Sequence, residues 1–303
     1  MQSILPELIF LILFIGFISF LLVGRQNLKS NRGNERPDQR AKSGDKRPAP
    51  LPEDPTEMQN LLQILKDNKI NFADFGKITR VHGRLVYGIQ MDESKGEAIW
   101  ARLTEILPET GYWPLLLQKD GFQIEENPTD FAYDHFLTPE DLIRQAKKRS
   151  TDAYLIKIED LLADRADQID KGEYWGDEEI PNRETAKHPP HEIRSNYLAF
   201  VPTPHSWQAP AYFFMNNLLN LSDVEMLLVL RHWEKLYGAK IVLFTPKVME
   251  LRINRRPESK EEALRLAFEQ ADFCSGLFEL HYTSPEDLAA DLMLKDRWEF
   301  SWD

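Results

Sequence analysis

The 303-residue sequence predicts a mixed α/β protein, with helices packed on a mixed sheet, preceded by a single transmembrane helix and a disordered linker. Three observations carry that reading. Residues 8–24 (LIFLILFIGFISFLLVG) form an uncharged apolar run of seventeen residues. Residues 25–56 hold five prolines and thirteen charged side chains but almost no large apolar ones. Beyond them, short apolar runs of strand character alternate with segments that open on helix caps and carry apolar residues at helical spacing. The chain thus divides into an anchor (1–24), a linker (25–56), an N-terminal α/β region with a helical and loop insert (57–195), and a C-terminal α/β domain (196–303).

At ~1.5 Å rise per residue, the run over 8–24 spans about 26 Å, close to the ~30 Å hydrocarbon core of a bilayer. A cleaved signal peptide calls for a basic leading segment and a small-residue cleavage site. The first seven residues, MQSILPE, contain no Lys or Arg, and Arg25, Gln26 and Asn27 follow the run. A buried core helix is the third reading, and a run apolar on all sides at the start of the chain fits it poorly. Eight Lys and Arg residues lie in 25–47 and none precedes the run. Cytoplasmic flanks retain basic residues, so the expected topology has the N-terminus outside and the large domain in the cytoplasm. A single cysteine, Cys274, excludes an intrachain disulfide and agrees with a reducing compartment.

The linker composition is that of a solvated tether. Whole-chain charge is −12, whereas residues 57–303 hold 43 acidic and 29 basic side chains, a net −14. Such a surface repels phosphate backbones, so nucleic acid is not an expected partner. It suits a basic protein partner, or simply solubility. Membrane lipid, contacted through the apolar run, is the other expected partner.

In the N-terminal region, 58–69 and 93–107 have helical patterns, the second with Ile99, Leu103 and Ile106 on one stripe and Pro108 as its stop. Residues 83–91 alternate as a strand, and 113–118 (WPLLLQ) is a short buried one. Thr138-Pro139-Glu140-Asp141 caps a helix reaching about 148, a second helix covers 154–168, and 171–195 reads as a long loop. In the C-terminal domain, 197–201 is a strand, and Ser222 with Glu225 boxes a helix ending at Gly238. Residues 240–244 and 248–253 are strands. Ser259 with Glu262 boxes the next helix, and Ser284-Pro285-Glu286-Asp287 caps another. The alternation of Trp298, Phe300 and Trp302 marks a final strand. The likeness of TPEDL (138–142) to SPEDL (284–288) reflects recurring cap chemistry rather than a repeat.

The segments LRHWEKLYGAKIV (230–242), MELRI (249–253), EEALRLAFEQADFC (261–274) and RWEFSWD (297–303) resemble the bacterial family called domain of unknown function 4253. Upstream, ETGYWPLLL (109–117) is similar to a segment of that family's longer members. Members tend to carry Pro-Asp after the cysteine, where this chain has Ser275-Gly276. The resemblance implies shared fold and bacterial origin, which makes the membrane expected for the anchor a bacterial plasma membrane, and it supplies no reaction.

No catalytic residue, metal-ligand set or cofactor is predicted. There is no GxSxG, P-loop, GxGxxG or HExxH. His188-Pro-Pro-His191 is extended by its prolines, so its histidines do not converge as an i, i+3 helical pair would. Cys274, at the end of an apolar helix stripe, reads as a buried thiol. The candidate ligand- or partner-binding residues are Trp207, Trp233, Glu234, Asp272 and Trp302. The tryptophan spacing matches buried faces, with a partly open aromatic surface as the alternative. Glu234 stands beside Lys235 and so has a local surface pairing open to it. The expected function is a membrane-anchored, non-catalytic interaction or regulatory module, of immunity type in one version. The alternative is an enzyme of unrecognised class or a small-ligand sensor with a pocket near the tryptophans.

Overall fold

The computed structural model describes residues 55–81, 84–117, 130–131, 137–169, 195–213, 221–245, 248–274, 276–280, 282 and 284–302. The expected anchor, the linker up to residue 54, His188, His191 and the expected loop before residue 195 lie outside the described residues. Among the described residues, no helix is long and apolar enough to cross a membrane.

Helix α1 (Pro55–Asp67) leads into the antiparallel hairpin β1 (Asp74–Val81) and β2 (Arg84–Gln90). β1 has no counterpart in the sequence reading. Its register shifts between Lys77 and Thr79, and a bulge of this kind breaks the alternation by which a strand is recognised. Gly88 is required in β2, because a Cβ there would stand 1.9 Å from Ile78 Cδ1 and 2.5 Å from the Leu198 carbonyl oxygen.

The single helix expected over 93–107 is three pieces. A 3-10 turn (Glu93–Lys95), capped by Asp92, runs into α2 (Gly96–Glu105), and α3 (Leu107–Thr110) follows. The break falls at Ile106, and Pro108 opens α3 instead of stopping α2. Proline lacks an N–H, so it is tolerated in a first turn whose N–H groups have no intrahelical partner. β3 (Trp113–Leu117) is buried along its whole length, as expected of a strand covered on both faces. β4 (Asp130–Phe131), α4 (Pro139–Lys148) and α5 (Asp152–Ile169) follow among the described residues of the N-terminal region. Thr138 caps α4 by accepting the Asp141 N–H.

The C-terminal region comprises β5 (Tyr197–Val201), a 3-10 segment (Ser206–Tyr212), α6 (Asp223–Tyr237), β6 (Lys240–Phe244), β7 (Val248–Arg252), α7 (Lys260–Phe273), α8 (Leu277–Leu280), α9 (Pro285–Leu294) and β8 (Arg297–Ser301). The Ser222–Glu225 box is reciprocal, and Gly238 closes α6 at φ 62°. That conformation is free of strain only for glycine, and an added Cβ would also meet Asn254 at 2.9 Å. Ser259 caps α7 through the Glu262 N–H, but the Glu262 carboxylate turns away to the Glu258 N–H and Arg255. β4, the 3-10 segment over 206–212 and α8 are further elements without a sequence expectation.

The eight strands of the described residues form one mixed sheet in the order β4-β1-β2-β5-β3-β6-β7-β8. β5 is antiparallel to both β2 and β3, and β3 is parallel to β6. The stretches 57–195 and 196–303 therefore interleave: β5 enters between β2 and β3, and β3 separates β5 from β6. The Trp113 indole N–H crosses that seam, donating to the Ile241 carbonyl at 3.0 Å. Helices cover both faces. Trp100 of α2 meets Trp113 edge-on on one side, while Trp233 of α6 and Phe273 of α7 pack on β8 from the other.

Candidate functional site

The five candidate residues fall in three places. The first is the aromatic core under β8. Strand alternation turns Trp298, Phe300 and Trp302 to one face. Trp233, fully buried at 0% exposure, stacks on Phe300 at 5.6 Å and meets Trp298 edge-on at 5.5 Å. Phe273 joins Trp233 at 5.0 Å to Trp302 at 6.4 Å. Trp302 is 4% exposed. This is packed core, with ring geometries that favour the aromatic quadrupole.

The Trp233 indole N–H donates to buried Glu269 Oε2 at 2.7 Å, and His232 Nε2 lies 3.8 Å from the same oxygen. Trp233→Ala should lower stability by about 4 kcal/mol, because it opens a cavity and orphans Glu269. Trp233→Phe should cost about half as much, since most of the ring volume stays. Chemical denaturation of both variants checks this; equal losses would mean that the indole N–H, and not the ring volume, carries the stabilisation.

The second place joins Trp207 and Glu234. The Trp207 backbone N–H donates to Glu234 Oε2 at 3.2 Å, so Glu234 reaches across to the 3-10 segment. Its contact is tertiary rather than along the helix surface. Burial raises the Glu234 pKa, opposed by the Trp207 N–H, His205 and Lys240. Trp207 is 6% exposed, with the His205 ring 6.5 Å away on it and Arg231 Cζ 5.9 Å from its centroid. Arg231 also donates to the Ala146 and Arg149 carbonyls at the end of α4, where a cation is favoured.

Asp272 occupies the third place, at the α5–α7 contact. Lys157 Nζ lies 2.6 Å from Asp272 Oδ1, while Oδ2 is buried without a hydrogen-bond partner. Nearby, the Tyr154 hydroxyl donates to the Glu269 carbonyl at 2.9 Å. Burial pushes the Tyr154 hydroxyl pKa well up, with Asp272 and Glu269 adding to it. Two further indole N–H groups, those of Trp298 and Trp302, also lack a partner. Cys274 is buried, and its thiol meets the Ser301 carbonyl oxygen at 3.4 Å. Among the described residues, no group of three or more His, Cys, Asp and Glu is arranged to hold a metal.

A fourth cluster escapes the sequence reading. Glu250 of β7 lies opposite Glu299 of β8, and Arg252 opposite Arg297, on the sheet face turned to α2. Parity alone places Glu250 on the face away from Met249 and Leu251, but nothing in the pattern shows that this position is covered. Its side chain is 7% exposed, and burial lifts its carboxyl from about 4.5 to about 7; Arg297 opposes the shift while Glu299 and Glu97 add to it.

Between those two values the folded state retains a proton that the unfolded chain has released. The stabilising contribution is therefore fully present below pH 4.5 and is lost as pH rises to 7. Its size is about 3 kcal/mol. Glu250→Gln should flatten this decline and raise stability at pH 8, as read from urea midpoints at pH 5 and pH 8. An unchanged pH dependence would show that Glu250 is not its source.

Residues 197–303 match the family described as Domain of unknown function (DUF4253), and the match begins at the first residue of β5. The chain matches no curated protein and no solved structure.

Proposed function

We propose that this chain is a single-pass membrane-anchored module whose folded part lies in the cytoplasm and binds a basic protein partner, in a regulatory or immunity-type role without catalysis. The observation that supports this best is the closure of the tryptophans into the core. It leaves the candidate region to meet other molecules through its charged groups, within residues 57–303, whose net charge is −14. The apolar run over 8–24 and the eight basic residues after it support the anchored topology. Opposite charge speeds encounter between partners and weakens with ionic strength.

In-cell crosslinking of the tagged full chain in its own membranes, followed by mass spectrometry, tests the reading. A basic protein recovered in near-equal amount, and released as salt rises, is the expected result. Recovery of nothing above background would overturn it. A small-ligand reading is supported by the unpartnered Asp272 Oδ2 and Trp302 Nε1, since buried polar atoms ordinarily find a partner. A thermal-shift screen of metabolites on the same chain would show stabilisation under that reading and none under the first.

A further inference from the structure

Arg297 is shared unequally. Its Nη2 lies 2.6 Å from Glu97 Oε1, in the first turn of α2, while its Nη1 is 3.8 Å from Glu250 Oε2. That Glu250 oxygen is buried and accepts no hydrogen bond. Arg252 Nη1 stands 3.5 Å from the same Glu97 oxygen. The charged groups acting on Glu250 are Arg297 and Glu299 from β8 and Glu97 from α2; Arg252, two residues on along its own strand, reaches Glu97, and from β6 the residue in register is the apolar Leu243. An ionised Glu250 would thus confront Glu299 across the ladder with no donor on one oxygen, an arrangement that low-dielectric surroundings make costly. A neutral Glu250 makes no such demand, and Arg297 is then held by Glu97, whose charge the α2 N-terminus also favours.

We propose that Glu97, Glu250 and Arg297 form a proton-governed exchange of partners: Arg297 bridges to Glu97 while Glu250 is neutral and turns to Glu250 when that carboxyl ionises, leaving Glu97 to Arg252. The exchange links α2 to β8, the last strand of the sheet. Proton release at Glu250 loosens the first turn of α2 from β8, so the device sets how firmly the N-terminal and C-terminal stretches are clasped at this corner. The placement of Glu250's pKa at about 7 puts the exchange within reach of ordinary changes of pH.

A double-mutant cycle of Glu97→Gln and Arg297→Gln in the full chain, held in detergent micelles, tests it by urea denaturation at pH 5.5 and pH 8.5. The coupling constant between the two residues should be roughly threefold larger at pH 5.5, within the range of exposed-to-half-buried ion pairs. The difference should vanish in the Glu250→Gln background. Equal coupling at both pH values, or a difference that survives Glu250→Gln, would overturn the proposal. A second readout needs no variant: the ¹³C shift of the Arg297 guanidinium should move with the midpoint of the Glu250 carboxyl. A guanidinium signal that stays flat while Glu250 titrates would equally overturn it.

Discussion

Residues 196–303 expressed alone are expected to remain unfolded or to aggregate, even though the family match covers 197–303 and invites that fragment. The reason lies in the strand order. β3 (Trp113–Leu117), outside the fragment, stands between β5 and β6 and pairs with both. Without it, two strands face each other across a gap of one strand, with their inward N–H and C=O groups unpaired. Strand spacing of about 4.8 Å means that this gap cannot close without repacking the layers on both faces. Five buried β3 side chains vanish as well, along with the Trp113 hydrogen bond to Ile241. Unpaired edges of this kind template aggregation. Circular dichroism and size-exclusion chromatography of the fragment, beside a fragment of residues 55–303, decide the matter. A monomeric 196–303 with a cooperative melt would show that β5 and β6 find each other without β3.

Deleting residues 297–303 should have an effect of similar size. The deletion removes β8, and with it Trp298, Phe300 and Trp302 from the far side of Trp233 and Phe273. Each large buried aromatic is worth about 3–5 kcal/mol on truncation, so three together reach on the order of 10 kcal/mol. A domain of this kind has about 5–15 kcal/mol in total. The deletion also strips Arg297 from Glu97 and uncovers β7 as a new sheet edge. The truncated chain should therefore lose its cooperative thermal transition and enter the insoluble fraction. An unchanged melting temperature would contradict the role of β8 in the core.

Most helix ends were legible because they are local. Thr138, Ser222, Ser259 and Ser284 each cap the N–H three residues on, and Gly238 takes the left-handed conformation at the end of α6. The same locality made β3, β5, β6, β7 and β8 readable from short apolar or alternating runs. It failed at β1, where a bulge scrambles the alternation, and at Pro108, which starts a helix as readily as it ends one. The candidate residues were chosen by type, and the fold distributes them. Trp207 and Glu234 do meet, Trp233 and Trp302 share a core through Phe273 and Phe300, and Asp272 belongs to the α5–α7 contact.

By itself, the sequence determined the mixed α/β class, the caps, the parity of the terminal strand and the net −14 of residues 57–303, since all of these depend on composition or on neighbours within four residues. Only the tertiary structure decided that β5 enters between β2 and β3, that Glu250 is covered, and that Arg297 chooses Glu97. These are pairings between residues far apart in the chain. Which of many compatible strands or charges meet is settled by burying one continuous core, and a local pattern carries no record of that choice.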